Sequence, residues 1–181
     1  MNSKLRSLGL VLAVGLVVIV SDRLTKLWVV NNVELFGAWA PFPALDAYFR
    51  LIHTTNTGVA FGMFRGGGGI FAIVAALAAV AILVYSYRLP ASTSSWHFLA
   101  LGLMFGGAVG NLWDRLVYGG QVIDFLYFHI EDRAAFPTFN LADNALVVGV
   151  ILLVLLLWID ERRLMRAARA GAADQGADAG A

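Results

Sequence analysis

The sequence predicts a mainly α membrane protein, in which four transmembrane helices carry a small extracytoplasmic β-sheet and a short interfacial helix. Three observations point there. Sixty per cent of the 181 residues are apolar and only 14% are charged, with mean hydropathy +0.76, whereas a soluble domain carries about a quarter charged residues. Four segments approach the roughly 20 apolar residues that a membrane-spanning helix needs. The polar residues near those segments gather at one end of them. The net charge of +1 argues against a nucleic-acid partner. The absence of cysteine excludes disulfides, thiol catalysis and cysteine-ligated zinc. The length suits one membrane domain over residues 1–170, with 171–181 a disordered tail rich in Gly, Ala and Asp.

The first span is read as 8–30. Its leading part, behind Lys4 and Arg6, also has the form of a secretory-signal core. No small-x-small cleavage site follows Val20, however, and apolar character resumes at Leu27-Trp28-Val29-Val30. One helix over 8–30 is roughly 34 Å long, enough to span. The other spans are 70–87, 96–114 and 141–158. Lys4, Arg6, Arg88, Arg162, Arg163, Arg166 and Arg169 fall on one side, against Arg50, Arg65, Arg115 and Arg133 over two longer loops. That excess sets both termini in the cytoplasm. The outer loops hold two stretches rich in β-branched and aromatic residues, Tyr48 to His53 and Gln121 to Phe128, with Pro41, Pro43, Gly119 and Gly120 as turn formers. They predict a sheet resting on the outer membrane face. Gly66 to Gly69 is expected to be a flexible joint, and 59–64 a mobile interfacial element.

Ionisable groups inside a bilayer are costly and call for a partner or a purpose. Asp22 and Lys26, four apart, share a face in the outer third of the first helix. Asn111, Asp114 and Arg115 arrive at the outer end of the third, and Asn140, Asp143 and Asn144 begin the fourth. Asp124 lies in the loop between, beside Ile123 and Phe125. Three helices of alternating direction thus deliver polar residues to one depth. Gly102, Gly106 and Gly110 repeat every four residues, which lets helices approach closely, with Gly107, Asn111 and Asp114 as a neighbouring stripe. A plain polar clasp between helices is one explanation, and a helix-capping role for Asp143 is another.

His53, His97 and His129 are scattered, and no HExxH, G-x-S-x-G or Walker motif is present. The histidines and Ser92, Ser94 and Ser95 are read as interfacial or loop residues, and no metal or other cofactor is expected. What remains is a carboxylate pair, Asp124 and Asp143. Two such groups a few ångströms apart share one proton, so one can activate water while the other polarises a carbonyl. A proton-coupled carrier is the rival of another class, yet the inner half of each span is featureless. A structural four-helix assembly factor would leave the outer carboxylates without a task.

Five segments together resemble the bacterial lipoprotein signal peptidases, or signal peptidase II: Ser21-Asp22-Arg23-Leu24-Thr25-Lys26, Asn56-Thr57-Gly58-Val59-Ala60-Phe61-Gly62, Gly106-Gly107-Ala108-Val109-Gly110-Asn111-Leu112-Trp113-Asp114-Arg115, Val122-Ile123-Asp124-Phe125 and Phe139-Asn140-Leu141-Ala142-Asp143. The resemblance implies an aspartic endopeptidase of the bacterial inner membrane. Its substrates would be diacylglyceryl-modified prolipoproteins, cut on the N-terminal side of the lipidated cysteine. It implies Asp124 and Asp143 as the catalytic dyad, with Asp22, Lys26, Asn56, Gly58, Asn111, Asp114, Arg115 and Asn140 supporting the site or positioning substrate. It also implies four helices with an extracytoplasmic cradle, membrane lipids as surroundings, and inhibition by globomycin-type cyclic peptides. A monomer is the default expectation.

Overall fold

The computed structural model describes residues 3–58, 68–90, 92–130 and 134–178. Four helices dominate it: α1 (Ser3–Asn32), α2 (Gly68–Arg88), α3 (Ser95–Val117) and α4 (Leu141–Asp178). Between them lie the strands β1 (Ala38–Trp39), β2 (Phe49–Asn56), β3 (Val122–Ile130) and β4 (Ala134–Ala135). Helix α1 runs unbroken through Ser21-Asp22-Arg23, as the one-helix reading of the first span requires. Among the described residues three helices are long and apolar enough to cross a membrane, within α1, α2 and α4. Helix α3 is less apolar because glycines and Asp114 occupy its buried side, with the half-buried Asn111 beside them.

The sequence expectation departs from the structure in two places. Helix α4 continues to Asp178, so most of the segment read as a disordered tail is helical; its alanines favour helix strongly enough to carry Gly171 and Gly176. Helix α2 starts at Gly68, inside the glycine run read as a joint. The interfacial element expected at 59–64 lies outside the described residues.

Helix α3 packs against all three others, while α2 and α4 barely touch. Its glycines explain the closeness. Gly102 and Gly106 meet Val14, Gly15 and Val18 of α1, whereas Gly107 lies against the Ala142 carbonyl and Leu146 of α4. A β-carbon on Gly107 would overlap that carbonyl, while one on Gly9 would meet nothing. Gly107→Ala is therefore expected to cost about 1–3 kcal/mol by overpacking, and Gly9→Ala to leave the melting temperature in detergent unlowered.

An apolar cluster of Val11, Phe98 and Leu101 closes one end of the bundle. At the other end, Val29 and Val33 of α1 pack on Phe125 of β3 and tie the bundle to the sheet. The sheet has the order β1-β2-β3-β4, antiparallel throughout. Leu51 pairs with Leu126, but Thr54 pairs with Asp124, so β2 carries one extra residue there. Bulges of this kind re-aim side chains beside functional sites. Here the shift brings Asn56 diagonally across from Asp124, on the same face.

Candidate active site

The start of α4 organises the site. Asn140 caps the helix: its Oδ1 accepts from the Asp143 N–H at 2.9 Å, and Asp143 Oδ2 accepts from the Asn140 N–H at 3.2 Å. This reciprocal pair is a capping box with Asn at the cap in place of the usual Ser or Thr and Asp in place of the usual Glu or Gln. The other half of the Asn140 amide is thereby free, and its Nδ2 donates to Asp124 Oδ1 at 2.8 Å. One side chain thus joins the cap of α4 to the acid of β3. Asp143 is a cap, as one reading of the sequence held, and faces Asp124 as well.

Asn111 fixes Asp143 from the other side, donating Nδ2 to its Oδ1 at 2.7 Å. That orientation is imposed on the amide. Its Oδ1 accepts from Lys26 Nζ at 3.4 Å and from Asn140 Nδ2 at 3.1 Å, so only its nitrogen is left to face the carboxylate. Lys26 lies between two acids, 2.7 Å from Asp22 Oδ2 and 2.8 Å from Asp114 Oδ2. All three side chains are fully buried, at 0% exposure. The acids reach onward to backbone: Asp22 Oδ1 accepts from the Ala142 N–H at 3.0 Å and Asp114 Oδ2 from the Ile123 N–H at 3.2 Å. The network therefore grips the residue before each of Asp143 and Asp124. Such burial requires pairing of every charge, and here each acid has both a cation and a backbone donor.

Arg23 was missed by the sequence reading as a site residue. Its guanidinium donates to Asp114 Oδ1 at 2.6 Å and lies over the Trp113 and Tyr118 rings. The signal available was its place beside Asp22; the helical phase that turns it toward α3 was not readable from one helix.

Asn56 donates Nδ2 to Asp124 Oδ2 at 3.2 Å and accepts at Oδ1 from the Gly58 N–H at 2.9 Å. Arg115 donates to the Gly58 carbonyl at 3.3 Å and to the Asn111 carbonyl at 3.2 Å. Its buried Nε has no partner among the described residues. The ten residues that the resemblance places in the site, from Asp22 to Asp143, thus fall in one connected assembly. Asp124 is almost wholly buried. Burial first, and then the facing Asp143 charge, push its carboxyl up to about 7 against the hydrogen bonds from Asn56 and Asn140.

A groove of about 1060 Å³ opens from this assembly. Asn56, Asn111, Arg115, Asp124 and Asp143 form its head. Phe71, Val74 and Ala78 of α2 face Ala108, Leu146 and Val147 of α3 and α4 along its apolar length. It occupies the gap that the sparse α2–α4 contact leaves.

The histidines differ from expectation. They are buried side chains of β2, α3 and β3, not loop residues: His53 Nδ1 lies 2.9 Å from the Val33 carbonyl, His97 Nε2 3.2 Å from Asp160, and the His129 ring stacks on Tyr127. Ser94 caps α3. Among the described residues no group of three His, Asp or Glu side chains stands close enough to hold a metal ion.

Residues 14–159 match the family model described as signal peptidase (SPase) II. A lipoprotein signal peptidase of Symbiobacterium thermophilum is 44% identical over 156 residues, covering 86% of this chain and 97% of that one. One from Pseudomonas fluorescens is 38% identical over 148 residues, covering 80% and 84%. A solved bacterial membrane enzyme superposes with TM-score 0.71 at 28% identity, covering 84% of this chain and 90% of its own. Another does so with TM-score 0.69 at 30% identity, covering 82% and 92%. With its apolar helices and these relatives, the protein is an integral membrane protein, and it belongs to the signal peptidase II family of aspartic peptidases.

Proposed function

We propose that the protein removes signal peptides from diacylglyceryl-modified prolipoproteins, cutting on the N-terminal side of the lipidated cysteine with Asp124 and Asp143 as the dyad. The observation that carries this reading is the Asn140 side chain, bonded at one end to Asp124 and at the other to the helix turn that presents Asp143. All four helices cross the inner membrane, with both termini cytoplasmic and the site near the outer face. The distribution of Lys and Arg supports that direction.

The division of labour follows from the surroundings. Asp143 receives donors at both oxygens, from Asn111 and from its own helix start, where the helix dipole also favours negative charge. It is the carboxylate that takes a proton from water. Asp124, raised to about 7, carries the shared proton and donates it toward the scissile carbonyl. As the tetrahedral intermediate collapses and its C–N bond breaks, the proton held on Asp143 passes to the leaving amine and one hydroxyl proton of the intermediate returns to Asp124. Arg115, Gly58 and Asn56 border the peptide path and orient the extended substrate. A signal peptide is an apolar helix, and the groove between α2 and α4 gives it and the acyl chains an apolar wall.

Incubating the purified protein with a lipid-modified prolipoprotein tests the reading. Release of the signal peptide, blocked by globomycin and absent with the unlipidated precursor, is the expected result. Equal cleavage of the unlipidated precursor would overturn the substrate assignment, and no cleavage at all would overturn the reaction.

A further inference from the structure

We propose that the loop joining α1 to β2 is a membrane-seated element that inserts Phe36 and Phe42 into the leaflet on the site side and sets the height of the sheet above the lipid. From Leu35 to Leu45 the chain reads Leu-Phe-Gly-Ala-Trp-Ala-Pro-Phe-Pro-Ala-Leu, eleven residues without one polar side chain. Yet they lie outside the helix bundle. Phe36 is 73% exposed and Phe42 59% exposed, with Leu35, Trp39 and Leu45 also open. A contiguous apolar surface of this kind marks an interaction site.

What covers it is decided by where the loop is pinned. The Trp39 ring packs on Trp28 of α1, centroids 5.0 Å apart. Trp28 stands about 30 Å along the helix from Leu8, the thickness of the hydrocarbon core. It therefore sits at the interfacial level where tryptophans collect. The apolar loop is thus continuous with the lipid-facing surface of α1. Its polar flanks, Glu34 before it and the Asp46–Arg50 ion pair after it, stop the insertion at either end.

The backbone is held for this purpose. Phe36 has φ +64°, a left-handed conformation that is an outlier for a bulky residue. It persists because its N–H donates to the His53 carbonyl at 2.7 Å while the His53 N–H donates to the Gly37 carbonyl at 3.1 Å. Strain of about 1–3 kcal/mol at an exposed phenylalanine that touches little protein is repaid when the ring enters lipid. Because His53 lies on β2, three residues before Asn56, the depth of the loop is transmitted to the strand that reaches Asp124.

The chain has no cysteine, so Phe36→Cys and Phe42→Cys each give a single thiol for a nitroxide label. In liposomes, both labels should collide readily with oxygen and poorly with a water-soluble nickel chelate. Their ratio should approach that of Leu77→Cys on the exposed face of α2, and depart from that of Ser92→Cys in the α2–α3 turn. A nickel accessibility equal to that at Ser92 would overturn the proposal by placing the loop in water. Protection from both reagents would overturn it by showing that protein covers the loop. Neither readout depends on catalysis, so the proposal and the peptidase reading fail separately.

Discussion

Asp124→Asn and Asp143→Asn are each expected to lower prolipoprotein cleavage by about 10³-fold or more, the loss of an acid or base that acts as one unit with its partner in the proposed mechanism. The two variants should differ in a second respect. Asp124 is pushed up to about 7, so the folded protein binds its proton more tightly than the unfolded chain does. Its burial is therefore free of cost below the ordinary carboxylate value of 3.8 and increasingly destabilising as pH rises through about 7. Asn, which never ionises, removes that penalty, on the order of a few kcal/mol at most. The melting temperature of Asp124→Asn should accordingly gain on wild type between about pH 5 and pH 8. An active variant, or a difference that shrinks over that interval, would contradict the assignment.

Lys26→Met is expected to have the largest effect on folding. Lys26 is the shared cation of Asp22 and Asp114, all three out of water. Removing one partner of a buried ionic group leaves uncompensated charge and costs about 3–5 kcal/mol. The damage also reaches the site. Without the ammonium, the Asn111 amide loses the group that holds its oxygen away from Asp143, and misplacement of about 1 Å can cost 10²-fold in rate. Folded yield in detergent and specific activity of the folded fraction should both fall. The triple change Lys26→Met, Asp22→Asn and Asp114→Asn should recover part of the yield without recovering activity. Unchanged stability of Lys26→Met would show that the two acids do not depend on it.

The sequence carried more of the site than of the scaffold. Depth could be counted along each span, so Asp22, Lys26, Asn111, Asp114, Asn140 and Asp143 were brought to one level from residue number alone. Their pairing could not be counted. Whether Lys26 bridges two acids, or Arg23 turns toward Asp114, depends on the rotation of α1 against α3, which the close contact of Gly102 and Gly106 with Val14 and Val18 sets. The bulge that aligns Asn56 with Asp124 is likewise invisible in the alternation of a strand. The histidines were misplaced for a related reason. In β2 and β3 they fill positions that face the protein, and no local pattern distinguishes a buried histidine bonded to a carbonyl from one in a loop. Helix α4 was cut short because hydropathy marks where a membrane ends, and the helix ends further on.

In the proposed mechanism one proton is held between Asp124 and Asp143 in the resting enzyme. Infrared spectra at about pH 6, where an ordinary aspartate is ionised, report on that proton. A carbonyl stretch from a protonated carboxylic acid is expected in the wild type and should be lost in Asp124→Asn. A band that survives in Asp124→Asn, or no such band in the wild type, would contradict that mechanism.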